Sequence, residues 1–209
     1  MKSILIINGS LRGSSGNCAR MAERAMTEFA RQENVNASIL TLADPMPPIG
    51  AVRHLLEAAQ GFLVLSGVYW NSWGSPLQRF LEVATVFENA PSFFGKPIAC
   101  VVTMDSVGGA DIAARIHASF AGLGCWSPPC STLVVSRIGE FAVAQTRGSE
   151  DDPNEDVWRM DDLDVVVRNL VAATALRGAW TSWEKVSLEI NNGAWPEAGS
   201  LDLGSPRFL

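Results

Sequence analysis

No cluster of Lys and Arg interrupts this chain, and its 16 basic residues are outnumbered by 22 acidic ones, for a formal net charge of -6. Nucleic-acid binding leans on clustered basic side chains facing the phosphate backbone, so that class of partner is excluded. No stretch approaches the ~20 apolar residues needed to span a bilayer. The N-terminal Met1-Lys2-Ser3 leads directly into a strand-like run too short for a signal peptide. A soluble, cytoplasmic protein with no membrane partner is expected. The four cysteines, Cys18, Cys100, Cys125 and Cys130, form no CxxC and no His-Cys ligand spacing, so neither a metal site nor a thioredoxin-like motif is indicated. Cys125 and Cys130 flank Trp126-Ser127-Pro128-Pro129 and read as packing residues, with a redox pair as the alternative. The two histidines, His54 and His117, fall on helical stretches away from the unusual loops, and there is no Gly-x-Ser-x-Gly elbow. Neither G-x-G-x-x-G nor a Gly-Lys-Ser/Thr phosphate loop occurs, and no internal repeat is visible.

What is present is enough apolar material, 47% of 209 residues, for one sizeable α/β domain. Apolar runs at 3–7, 37–42, 62–66, 98–103 and 132–136 have the continuous character of strands covered on both faces. Between them lie stripes at helical spacing. Cys18, Met21, Ala22, Ala25, Met26 and Phe29 form the first. Val52, Leu55, Leu56 and Ala59 form the second, and Leu77, Phe80, Leu81, Ala84 and Phe87 the third. Ile112, Ile116, Phe120 and Leu123 form the fourth. Alternation of five strands with helices predicts a three-layer, doubly wound, five-stranded parallel sheet, with order 2-1-3-4-5 as the expectation. A last helix runs through Leu163, Val166, Val167, Leu170, Val171 and Thr174, with Asp161, Asp162 and Asp164 suiting its positive end. The domain is expected over 1–178. Residues 137–164 read as a connector with a solvated acidic run at Glu150-Asp151-Asp152. Residues 179–209, with Trp180, Trp183 and Trp195, read as a tail packing on the domain or on a partner subunit.

Three loops carry unusual chemistry. Asn8-Gly9-Ser10-Leu11-Arg12-Gly13-Ser14-Ser15-Gly16-Asn17 joins the first strand to the first helix. A helix N-terminus offers unpaired N–H groups and a dipole that favours negative charge. Glycines admit close approach, and Ser10, Ser15 and Arg12 add donors and a fixed charge, so this turn reads as a phosphate cradle. The alternative is a plain tight turn with Asn17 as a helix cap. Gly67-Val68-Tyr69-Trp70-Asn71-Ser72-Trp73-Gly74-Ser75 combines three aromatics with amides and hydroxyls, the mixture that a flat heteroaromatic ligand needs. Core or interface packing of these aromatics is the other reading. Asp105-Ser106-Val107-Gly108-Gly109 offers bare backbone at Gly108 and Gly109. These loops follow strands one, three and four, which order 2-1-3-4-5 makes neighbours beyond their carboxyl ends. Together they describe a mononucleotide site.

Gly9-Ser10-Leu11-Arg12-x-x-Ser15-x-Asn17 resembles the signature of the NAD(P)H-dependent FMN reductase family. Val68-Tyr69-Trp70-Asn71-Ser72, followed by Pro76-Leu77-Gln78-Arg79-Phe80-Leu81, is similar to the flavin-ring loop of that flavodoxin-like superfamily and the helix behind it. The resemblance covers roughly residues 1–136. It implies a flavodoxin-like fold, bound FMN, and NADPH or NADH as co-substrate. It also implies a small acceptor, whether quinone, azo compound, metal oxyanion or free flavin. Carried onto this chain, it gives Ser10, Arg12, Ser15 and Asn17 to the phosphate, and Gly16 of the same turn is expected among the cofactor-binding residues. The resemblance sets Tyr69, Trp70, Asn71 and Ser72 along the isoalloxazine and Ser106 and Gly108 at its pyrimidine edge, and Val68 and Gly109 are expected beside them as cofactor-binding residues. No catalytic side chain is implied, since bound flavin carries the chemistry. A homodimer or homotetramer is expected. Two positions depart from the pattern. Gly67 stands where relatives usually have Pro, which would loosen the ring loop, and Asp105 places a carboxylate where it would disfavour an anionic reduced flavin. A flavodoxin-type electron carrier and a flavodoxin-like interaction protein that binds no flavin are the rival readings.

Overall fold

Period-2 geometry sends neighbouring residues of a strand to opposite sides of a sheet, so an unbroken apolar strand is stable only between two helical layers. The computed structural model, which describes residues 1–43, 45–88, 90–146 and 162–183, has that architecture. Its order is β1 (Lys2–Asn8), α1 (Asn17–Ala30), β2 (Val35–Thr41), α2 (Ile49–Ala58), β3 (Gly61–Gly67) and α3 (Ser75–Ala84). A short 3-10 turn at Thr85–Phe87 leads to β4 (Ile98–Met104), α4 (Gly109–Gly122), β5 (Thr132–Ser136), α5 (Arg137–Thr146) and α6 (Leu163–Ala173).

All strand pairings are parallel, and the sheet order is β2-β1-β3-β4-β5. Ile4 and Ile6 join Leu63, Leu65, Ala99 and Val101 under α1 and α6. Leu5 and Ile7 join Phe62, Val64, Cys100 and Val102 on the opposite face, under α2, α3 and α4. Phe93 is fully buried at the centre of an aromatic knot, with ring centroids 5.5 Å from Phe62, 6.4 Å from Phe80 and 5.9 Å from Phe120. The register aligns Asn8 with Leu65, Gly67 with Thr103 and Met104 with Ser136. The carboxyl ends of β1, β3, β4 and β5 therefore finish along one edge.

Three features differ from the sequence expectation. Residues 137–146, read as the start of a connector, form α5 directly after β5. β2 begins two residues earlier than its apolar run, because Val35 and Asn36 pair with Lys2 and Ser3 at the open edge of the register. Cys18, Cys100 and Cys125 are buried, whereas Cys130 is exposed at positive φ and all four are free thiols. The acidic run at 150–152, Asp161 and Trp195 lie outside the described residues. Asp162 and Asp164 open α6 as expected. Of the tail, Trp180 lies over Gly95 while staying more than half exposed, as does Trp183.

Candidate functional site

The first loop is braced from beneath by a buried side chain. Asn8, the last residue of β1, donates from Nδ2 to the Gly13 carbonyl at 2.7 Å and accepts from the Ser10 amide at 3.2 Å. The Ser15 hydroxyl and amide both donate to the Arg12 carbonyl, at 3.0 and 2.9 Å, which curls 12–15 into a tight turn. Gly16 then enters α1 at φ 90°, a conformation that disfavours side chains, and the Arg12 side chain passes over its bare α-carbon. Asn17 is the first helical residue rather than the cap. No side chain caps this end, and no carboxylate sits in its first turn. Its N–H groups are left for an anion.

The second loop is a two-residue hairpin. Tyr69 and Ser72 exchange backbone hydrogen bonds at 2.7 and 3.0 Å, with Trp70 at φ 49° and Asn71 at φ 58° between them. Both central residues are left-handed, as in a type I′ turn. That suits Asn71 and strains Trp70, whose side chain is fully exposed. Arg115 of α4 steadies the hairpin by donating to the Asn71 carbonyl at 3.1 Å, and its guanidinium lies 4.6 Å over the Trp73 ring. Trp73 in turn donates to Gln78 Oε1 at 2.8 Å. Ser66, buried at the end of β3, accepts from the Gly74 amide and so closes the base of the loop.

In the third loop, Asp105, Ser106 and Val107 are exposed, and Gly108 enters α4 at φ 89°. A Cβ at Gly108 would sit 3.1 Å from Asn71 Oδ1, so the second and third loops touch there. Asp105 faces Arg137, the residue that follows β5, at 3.5 Å. Its main-chain carbonyl accepts from the Ile138 amide at 3.0 Å.

These loops surround a cleft of about 610 Å³, within the usual range for small-molecule sites. Of the residues nominated from sequence, Ser10, Arg12, Ser15, Asn17, Val68 and Tyr69 line it. Gly16 lies behind the Arg12 side chain. Trp70, Asn71 and Ser72 form the hairpin beside the cleft, and Ser106, Gly108 and Gly109 the adjoining loop, without forming its walls. Sequence reasoning missed Cys18, Arg20, Met21, Thr103, Met104, Val135 and Arg137 as lining residues. Thr103, Met104, Val135 and Arg137 could have been nominated, because they end β4 and β5 or follow them on the ligand-binding edge. Arg20 and Met21 stand one turn into α1, where only the packed structure shows which side chains reach the cleft.

Electrostatically the cleft opposes the molecule that contains it: Arg12, Arg20 and Arg137 face one carboxylate, Asp105, in a chain of net charge -6. The Ser10 side chain is almost fully buried, and beyond the neighbouring Cys18 thiol its hydroxyl has no hydrogen-bond partner. Burial pushes the neighbouring Cys18 thiol up, with the dipoles of the Thr103 and Ser10 hydroxyls working the other way. Burial likewise raises the Tyr69 hydroxyl, while the Leu11 N–H pulls it down.

Residues 2–140, well over half of the chain, match the family described as NADPH-dependent FMN reductase. The chain belongs to that family. No curated protein matches it. Among solved structures, this reductase family member is similar to RosB, determined with a bound 8-demethyl-8-formylriboflavin-5'-phosphate intermediate. That likeness has 12% identity, 84% of this chain and 79% of that one covered, and a TM-score of 0.63. It is also similar to the apo form of the NADH:FMN oxidoreductase EMOB, at 14% identity, with 86% and 92% covered and a TM-score of 0.59. A flavodoxin, WrbA-like protein from Agrobacterium tumefaciens gives 14% identity, 84% and 99% covered, and a TM-score of 0.57. At such identities the likeness speaks to the fold alone, which is flavodoxin-like. No described helix of this FMN reductase homologue is long and apolar enough to cross a membrane.

Proposed function

We propose that the chain binds FMN in this cleft and passes reducing equivalents from NADPH or NADH to a small acceptor such as a quinone, azo compound, metal oxyanion or free flavin. One observation carries the reading: the uncapped N-terminus of α1, the buried Ser10 hydroxyl and the Arg12 side chain all converge on the same cleft. A phosphate monoester would satisfy all three groups. Ser15 and Asn17 extend the same cradle, and the edge formed by 68–72 and 106–109 lies where a planar ring would be bordered. Bound FMN would supply the two-electron chemistry, accepting hydride from the nicotinamide and delivering it onward.

The chain's own residues then orient and tune. Arg137 pairs with Asp105, which offsets the carboxylate charge expected to weigh against a reduced flavin. Leu11, Trp70, Val107, Ile138 and Phe141 are exposed apolar side chains from the loops and helix at this edge of the sheet. That clustering supports a homodimer or homotetramer in which a second copy covers the rim. Anaerobic mixing of the flavin-loaded protein with NADPH or NADH tests the function. Bleaching of the flavin absorbance is expected, and failure with both nicotinamides would leave a flavodoxin-type carrier as the better account. A colourless preparation that takes up no added FMN would leave an interaction protein instead.

A further inference from the structure

The phosphate and ring motifs account for only part of the cleft. Its other wall is Arg20 and Met21 on α1, Met104 and Val135 at the ends of β4 and β5, and Arg137 just beyond β5. A direct contact joins these segments: the Cys18 thiol lies 3.3 Å from the Thr103 hydroxyl, which sets the first turns of α1 against the end of β4. Parallel register then puts Val135 beside Thr103 and Ser136 beside Met104, with Arg137 next along the chain. Arg20 and Met21 follow Asn17 by helical spacing, so all three share one side of α1. Met21 and Val135 are buried and Met104 half-buried, whereas both arginines are exposed. The wall is therefore an apolar floor under a cationic rim.

Charge decides what the rim is for. Arg12 and the uncapped end of α1 already answer a phosphate monoester, so Arg20 and Arg137 stand in excess of it. Arg20 meets no carboxylate among the described residues. Arg137 meets Asp105 at 3.5 Å with both side chains well exposed, a contact that an incoming anion can replace. In a chain of net charge -6, such a rim concentrates anions that the rest of the surface repels. We propose that this wall is an acceptor subsite for a flat apolar molecule carrying a carboxylate or sulfonate, with Met21, Met104 and Val135 against its body and Arg20 and Arg137 on its charge. This rests on the cofactor reading above and deepens it: among small acceptors, acidic aromatic ones are selected over neutral ones.

Calorimetry on the full chain, with FMN in excess to fill the 9–17 turn, compares anthraquinone sulfonate with hydroxymethylanthraquinone, a neutral analogue of the same ring system. At low salt the sulfonate should bind about tenfold more tightly or better, and the margin should shrink as salt is raised. Arg20→Gln and Arg137→Gln should each weaken the sulfonate by about three- to tenfold and leave the neutral quinone unchanged. Arg31→Gln, the same loss of charge roughly 16 Å further along α1, should change neither. A preference that is absent, or that survives both substitutions, overturns the assignment and leaves the cofactor reading standing. So does loss of FMN without loss of riboflavin in Arg20→Gln, which would give that arginine to the phosphate. An arginine-dependent preference in a chain that takes up no FMN, titrated with inorganic phosphate in excess instead, keeps the subsite and removes the cofactor reading. No preference and no uptake of FMN removes both.

Discussion

Arg12 is asked to do most at the scale of single residues. Its backbone carbonyl anchors the Ser15 turn, its side chain covers Gly16, and its guanidinium reaches the cleft. Arg12→Ala keeps the turn's backbone bonds and removes the charge. FMN affinity measured by fluorescence quenching should fall about 10- to 100-fold, with a weaker salt dependence than in the parent. Arg137 sits across the cleft in a different role. Its pair with Asp105 is open to solvent on both sides, so each charge is largely screened. Arg137→Ala leaves Asp105 uncompensated beside the proposed flavin site. The bound midpoint potential should fall by about 10–20 mV, the equivalent of ~0.5–1 kcal/mol for a two-electron couple. A rise in that potential on spectroelectrochemical titration would show that Arg137 does not offset the carboxylate.

At the scale of elements, the hairpin at 69–72 is a strained device held from outside. Trp70 occupies a left-handed position that costs a bulky residue roughly 1 kcal/mol or more. Trp70→Asn, with no packing to lose because the side chain is fully exposed, should stabilise the fold by about 0.5–1 kcal/mol in urea unfolding. Arg115→Ala should act in the opposite sense, losing about 0.5–1 kcal/mol with the stack on Trp73 and freeing the Asn71 carbonyl. The sequence showed which loops meet, because strand order alone puts 9–17, 67–75 and 105–109 on one edge. It could not show where Tyr69 points, since that depends on the space that Gly67 and Gly74 leave beside its ring. Nor did it show α5. Ile138 and Phe141 are both exposed there, so these two side chains mark no buried stripe.

For the whole molecule the five-stranded order was legible because burial on two faces writes continuous apolar runs, and the helical stripes between them are the residues that became core. Polar clamps inside the layers leave no such trace. His117 looked like an ordinary helical residue, yet it ties α4 to two other segments. Its Nδ1 pairs with the Ser127 hydroxyl at 2.6 Å and its Nε2 with the Thr132 hydroxyl at 2.8 Å, with Cys100 Sγ 3.3 Å away. These partners are two hydroxyls and a thiol that burial pushes up to about 12, so none offers negative charge near neutrality. Burial accordingly lowers the His117 pKa from its ordinary 6.5. Between the lowered folded value and 6.5 the unfolded chain binds the extra proton, so folding stability is full above 6.5 and declines as pH falls through that window. Below the folded value both states are protonated, and the decline from this group ends. His117→Gln retains hydrogen-bonding capacity without a titrating ring. Urea midpoints taken at about pH 7.5 and pH 5 should therefore separate less for the variant than for the parent, the carboxylate contribution being common to both. An equal separation in the two proteins would mean that the half-buried imidazole is not part of the acid sensitivity of this fold.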